Sequence, residues 1–160
     1  MTNMDDLVIS IKEHEGFSPI PYIDPLVRKE LAKSDPDVLE TIEKHLPDLK
    51  LTIGYGTLLR MNKKEATVLL RLRLATMVEK LFSVQSIFRY LPSKAQNIFA
   101  EMAYQLGVAG VMKFKKTWAL AEEHEFEAVS VEMLNSKWHK QTPERSEELA
   151  SRMKQIKTQG

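Results

Sequence analysis

The chain has 160 residues, 43% of them hydrophobic and 28% charged, with a formal net charge of +1 and no cysteine. This length suits one compact domain or two small lobes sharing a core, and the composition excludes a disordered or low-complexity chain. The lack of cysteine excludes disulfide frameworks, thiolate zinc sites and cysteine nucleophiles, and the near-neutral charge gives no support to a dedicated nucleic-acid binder.

Met1 to Asp6 carry neither a basic start nor a long apolar run, so neither a secretory signal nor a membrane anchor is expected. Met4, Leu7, Val8 and Ile11 then recur at helical spacing, with Asn3 as the cap. Glu15 falls near the end of that helix, and Gly16 is a stop signal. Pro19, Pro21 and Pro25 make residues 17–25 extended or turn-like.

Residues 26–50 stand apart. Leu26–Lys33 mix charged and apolar residues. Asp35-Pro36-Asp37 is a helix start, continued by Val38, Leu39, Ile42 and Leu46 and ended by Pro47 and Asp48. This reads as an inserted helical segment. Leu51-Thr52-Ile53-Gly54-Tyr55-Gly56-Thr57 alternates large and small residues and predicts a strand whose glycines mark close backbone approach.

Asn62 with Glu65 forms a capping pair opening a helix over about residues 63–82, with Leu70, Leu74, Met77, Val78 and Leu81 as its buried stripe. Such a helix spans about 30 Å, enough to connect two lobes. Pro92 and Ser93 start the next helix, with Gln96 as capping partner and an end near Leu106-Gly107. The remainder reads as helical, with breaks at Val108–Val111, His124 and Asn135, and Thr142-Pro143 opens the last helix with Thr as cap. The expected fold is α+β and predominantly helical, one domain over residues 1–160. It comprises a small β-containing N-terminal lobe (about 1–60, with the 26–50 insertion), a connecting helix (63–82) and an all-helical C-terminal lobe (83–160). No internal repeat is visible.

The residues themselves narrow the chemistry. There is no Ser/His/Asp elbow, phosphate loop or HExxH motif. His14, His45, His124 and His139 are scattered, and each reads more readily as a surface or capping histidine than as a metal ligand. Lys113, Lys115 and Lys116 read as a solvated face rather than a binding patch. What remains is a carboxylate pair flanking a Pro/Gly-rich turn, Glu15 and Asp24. Glycoside hydrolysis needs one group to protonate the departing oxygen and another to orient water or stabilise the cationic sugar. A helix C-terminus disfavours ionisation of Glu15, while a polar loop lets Asp24 stay charged, a division of environments that acid/base chemistry uses. With 22 acidic residues in the chain, however, a pair nine apart arises readily by chance. Taken alone, the pair reads as a solvated Glu at a helix end and an Asp in a turn.

The wider text changes this. Glu15-Gly16, Tyr22-Ile23-Asp24 and Leu51-Thr52-Ile53-Gly54-Tyr55-Gly56 resemble the Glu, Asp and Thr signature of the phage-type lysozymes, glycoside hydrolase family 24. Met102–Gly107 and Ser136–Arg145 resemble the C-terminal lobe of the same family. The resemblance covers nearly the whole chain apart from residues 26–50 and the last few, and several motifs in one order are more specific than any one.

The resemblance implies a two-lobe lysozyme fold and a muramidase that cuts the β-1,4 bond between N-acetylmuramic acid and N-acetylglucosamine in peptidoglycan. Glu15 would be the general acid. Asp24 would hold water or stabilise developing positive charge, and Thr52 would place the attacking water, which suits an inverting outcome. Arg145 would pair with Glu15 and favour its ionised form, against the helix end. Leu58, Tyr104, Gln105, Thr117 and Glu132 would line the sugar cleft, where amides and apolar faces bind sugars. Glu132 stands where the family pattern can carry an amide. Leu58 and Tyr104 read equally well as core, and Trp118 and Trp138 read as core.

No metal or organic cofactor is implied. The expected partner is bacterial peptidoglycan, with no nucleic acid and no membrane insertion, and a monomer is expected. The family resemblance implies a phage lysis enzyme held in the host cytoplasm until the membrane is permeabilised. Two departures stand out: Thr57 replaces a family histidine, and about twenty extra residues separate Asp24 from Thr52. The chain also looks shortened between Leu59 and Met61. These departures motivate an alternative, a catalytically silent module of the same fold that binds peptidoglycan or a protein through the 26–50 insertion.

Overall fold

The computed structural model describes residues 3–18, 22, 25–45, 52–53, 57–58 and 61–157. Among them the chain is predominantly helical. It divides into two compact units, one of Met1–Glu15 with Leu69–Gly160 and one of Gly16–Val68.

The first unit opens with α1, Met4–Glu15. Asn3 caps it: its Oδ1 accepts from the backbone N–H of Asp5 at 3.1 Å and of Asp6 at 3.4 Å. Twelve residues are too few for a stable isolated helix in water, so packing must hold it. Leu7, Val8 and Ile11 supply that packing, each contributing about 2 kcal/mol by leaving water. Gly16 follows at φ +67°, a left-handed conformation that glycine adopts without a side-chain clash.

α4, Lys63–Val84, begins in the second unit and continues into the first. Its start is a reciprocal capping box. Asn62 Oδ1 accepts from the N–H of Lys64 at 2.9 Å and of Glu65 at 3.0 Å, and Glu65 Oε2 accepts from the N–H of Asn62 at 2.8 Å. Leu74, Val78 and Leu81 are buried, and Leu70 and Met77 pack against the core from its margin.

A short 3-10 segment, Ser86–Tyr90, leads to α5, Ser93–Leu106, whose residues Ala95–Ala103 are all buried. Gln96 is turned inward here, its amide donating to the Phe88 carbonyl at 2.8 Å. α5 stops at Gly107, φ +71°. Val108–Val111, expected as a break, is instead a one-turn helix, α6: Val111 N–H returns to the Gly107 carbonyl and Met112 N–H to Val108.

α7 (Lys115–Glu122), α8 (Phe126–Leu134), α9 (Lys137–Gln141) and α10 (Pro143–Lys154) complete the unit, with His124 at φ +59° between α7 and α8. Phe99 stacks on Trp118 with ring centroids 3.9 Å apart. Pro143 opens α10, but Thr142 does not cap it through its side chain; the hydroxyl donates back to the Trp138 carbonyl at 3.2 Å.

In the second unit, α2 spans Pro25–Ser34 and α3 spans Pro36–His45. Pro25 therefore begins a helix rather than closing an extended stretch, because proline has no N–H to lose at a first helical position. The inserted segment holds two helices, joined by an Arg28–Glu43 ion pair and punctuated at Asp35. The expected single strand over 51–57 is two two-residue strands, β1 (Thr52–Ile53) and β2 (Thr57–Leu58), paired antiparallel with Thr52 opposite Leu58 and Ile53 opposite Thr57. No further strand occurs among the described residues. None of the described helices is long and apolar enough to cross a membrane.

Candidate active site

α1 carries Glu15 in its last turn, and α10 carries Arg145 in its first. Arg145 Nη1 donates to Glu15 Oε1 at 2.9 Å. The guanidinium is 9% exposed and the carboxyl 42%, so the cation is buried while its partner reaches water. Arg145 Nε and Nη2 are buried without a hydrogen-bond partner among the described residues. A carboxyl held against a fixed cation at a helix end, with one side open to solvent, is placed to exchange a proton with a ligand.

Asp24 lies outside the described residues. Thr52 and Leu58 are register partners in the β1–β2 pair of the other unit, and Thr57 stands beside Leu58 in β2.

The remaining candidates fall in the first unit. Thr117 of α7 and Glu132 of α8 line one cleft of about 690 Å³. Trp138 forms part of its wall, and its indole N–H donates to Gln105 Oε1 at 3.0 Å, fixing the amide of α5 beside that wall. Trp138 is thus both a core residue and a lining residue. Tyr104 is half-buried and packs against the core. Thr117 is almost fully buried, so it offers the cleft little more than one edge.

Lys113, Lys115, Lys116 and Lys137 also line this cleft, with Asn135, Ser136 and Gln141. The lysines are exposed, as a solvated face would be, yet they give the cleft a cationic rim with Glu132 as its acidic member. Their clustering in sequence was visible; their position around a concavity was not.

Sequence reasoning missed a polar cluster that links α1, α5 and α10 around a buried carboxylate. Glu101, with no exposed surface, accepts from Ser10 Oγ at 2.8 Å and from Arg152 Nη2 at 2.8 Å. Among the described residues no group of three His, Cys, Asp or Glu side chains is gathered to hold a metal ion.

No family model matches the chain. In sequence it is similar to the T4-type lysozymes, and the similarities support a T4 lysozyme-like family. Two proteins of Dictyostelium discoideum carry this relationship. One, named probable T4-type lysozyme 2, is 35% identical over 74 residues, 46% of this chain and 44% of that protein, so this match spans less than half the relative's length. The other, named probable T4-type lysozyme 1, is 28% identical over 141 residues, 88% of this chain and 82% of that protein.

Proposed function

We propose that the chain is a muramidase that hydrolyses the β-1,4 bond between N-acetylmuramic acid and N-acetylglucosamine in peptidoglycan, within a two-lobe lysozyme fold. The observation that carries this reading is the buried Arg145 guanidinium bonded to the half-exposed Glu15 carboxyl, in a chain similar to T4-type lysozymes. Glu15 protonates the departing glycosidic oxygen. Asp24 holds water or stabilises the developing positive charge, and Thr52 orients the attacking water, which enters from the opposite face and inverts the anomeric centre. Arg145 fixes the Glu15 carboxyl and stabilises it once it has given up its proton.

Thr117, Glu132 and Gln105 contribute to sugar binding, supported by the cleft that Thr117 and Glu132 share and by the Trp138–Gln105 hydrogen bond beside it. Leu58 and Tyr104 complete the substrate contacts in this reading. The enzyme acts as a monomer on the cell wall, with a phage-lysis role in which it stays in host cytoplasm until the membrane is breached.

The test is release of reducing ends from purified peptidoglycan by the native chain and by Glu15→Gln. Release by the native chain alone supports the proposal. Substantial release by the folded variant removes Glu15 as the acid. A second reading, a silent wall- or protein-binding module, is favoured by the α2–α3 helical pair inserted before β1. It predicts pelleting with peptidoglycan and no release by either form, while a control lysozyme digests the same wall.

A further inference from the structure

His14 sits in the last turn of α1, one residue before Glu15, and both of its ring nitrogens face acceptors. Nδ1 lies 2.7 Å from the backbone carbonyl oxygen of Ser10, and Nε2 is hydrogen-bonded to Glu148 Oε2 of α10. A carbonyl oxygen and a carboxylate can only accept, so these two contacts together require a proton beyond those of a neutral imidazole and a free carboxylate. Glu148 is itself steadied by Arg152, whose Nη1 lies 3.6 Å from Glu148 Oε1.

This contact is one rung of a ladder between α1 and α10. Glu15 meets Arg145, His14 meets Glu148, and Ser10 meets Arg152, whose Nη1 donates to Ser10 Oγ at 3.0 Å. The numbering rises on α10 as it falls on α1, so the rungs run antiparallel. The Ser10 rung is closed by Glu101 of α5, which takes hydrogen bonds from both Ser10 and Arg152 and has no exposed surface. The ladder therefore has a buried end that does not depend on His14 and an outer end that does. Glu148 of α10 faces His14 directly and Arg152 flanks Glu148; Glu15 follows His14 on α1 with Arg145 of α10 as its partner, and Glu101 of α5 belongs to the Ser10–Arg152 rung. Histidine is the side chain that ordinarily changes charge between about pH 5 and 8.

We propose that His14 is a positioning residue for Glu15: the proton shared by His14 and Glu148 pins the last turn of α1 to α10 and so holds the Glu15 carboxyl on Arg145. Loss of that proton with rising pH opens the outer rung, while the Ser10–Glu101–Arg152 rung keeps α1 packed. The effect is a local loosening at Glu15 rather than unfolding. The proposal rests on the reading of Glu15 as the acid only for its effect on rate; the effect on geometry stands apart from it.

The experiment follows the native chain, His14→Gln and Glu148→Gln through a pH titration by NMR. It observes the imidazole nitrogens of His14, the carboxyl carbon of Glu15 and the Nε–H of Arg145, and measures reducing-end release alongside. In the native chain, His14 is expected to carry both ring protons at low pH. As it loses one, the Glu15 and Arg145 signals are expected to shift and broaden together, and release to fall about tenfold, the scale for losing a charge-assisted hydrogen bond. In Glu148→Gln, the His14 imidazole still stands next to Glu15, but the step at Glu15 and Arg145 is expected to vanish. An unchanged step there means that Glu15 merely senses a neighbouring charge, and overturns the proposal. His14→Gln, expected to show no step and unchanged near-ultraviolet circular dichroism, keeps the test open if Glu148→Gln fails to fold; a persisting step in it overturns the proposal too. A native chain that shows the step but releases no reducing ends at any pH refutes Glu15 as the acid and leaves the positioning intact.

Discussion

Arg145 reaches across 130 positions of sequence to place a guanidinium N–H on the Glu15 carboxylate. The two partners are unequal: the arginine is buried and leaves two nitrogens unpartnered among the described residues, while the glutamate is open to water. Arg145→Met therefore removes a poorly satisfied buried charge and leaves a carboxylate that solvent can take up. The expected loss of stability is about 1 kcal/mol, well under that of breaking a fully buried pair. Urea unfolding checks this, and reducing-end release is expected to fall at least tenfold if the arginine fixes the acid.

The opposite balance holds at Glu101, which has no exposed surface and relies on Arg152 for its counter-charge. Arg152→Met leaves a buried carboxylate with only the Ser10 hydroxyl, and a loss of about 3–5 kcal/mol is expected in urea unfolding. Adding Glu101→Leu in the same chain should recover part of that loss. A double variant no better than the single would mean that the cation acts through something other than charge balance.

His124 is the described non-glycine residue with positive φ, at +59°. A β-branched side chain there must bear the left-handed strain in full, so His124→Val is expected to cost about 1–2 kcal/mol. His124→Gly relieves the strain but gives up the edge contact with Phe126, and is expected to lie within about 0.5 kcal/mol of the native chain. Thermal unfolding of the pair, compared at one pH, separates strain from side-chain contact.

Asn62 Oδ1 satisfies two backbone donors at the start of α4, and the Asn62 N–H donates in return to Glu65 Oε2. Asn62→Ala is expected to cost about 1 kcal/mol. Amide exchange should accelerate first at Lys64 and Glu65, and acceleration spread evenly along α4 would argue against a capping role.

On the surface, the Lys154 ammonium lies 2.8 Å from Glu127 and holds that carboxyl below the ordinary carboxylate range, chiefly through the hydrogen bond and then through charge. Glu127 in turn raises the Lys154 value. A depressed folded-state carboxyl value means that the pair's stabilisation is present above the unfolded-state value and disappears as pH falls through the folded one. For Lys154 it is present below the unfolded-state value and lost as pH rises through the folded one. Lys154→Met is thus expected to melt slightly lower than the native chain at neutral pH, with the two melting curves converging in acid. Both groups are well exposed, so added salt should narrow the difference.

What could be read from the sequence was mostly what is decided locally. Asn3, Asn62 with Glu65, Gly16 and Gly107 mark helix ends because their chemistry acts within three or four residues. Pro25 misled because a proline that opens a helix and one that ends an extended run look alike until the next turn is known. The alternation across 51–57 read as one strand because it does not reveal that Thr52–Ile53 and Thr57–Leu58 pair with each other. Val108–Val111 lacks apolar periodicity because one turn is too short to express any. At the candidate site, Glu15 and Arg145 were joined by family resemblance, not by spacing. Ser10, Glu101 and Arg152 went unnoticed because a buried ion pair between distant helices leaves no local pattern.

The first compact unit takes its members from both ends of the sequence, with the whole second unit lying between them in the chain. During synthesis α1 emerges before α10 and carries Glu15 on a helix that cannot hold its shape alone. Its partners on α10 follow more than a hundred residues later. Closing so long a loop is slow, and nothing rewards it until α10 exists. The ribosome thus delivers the Glu15 carboxyl long before it delivers the arginine that bonds to it. A chain stopped short of α10 would carry Glu15 with nothing to aim it.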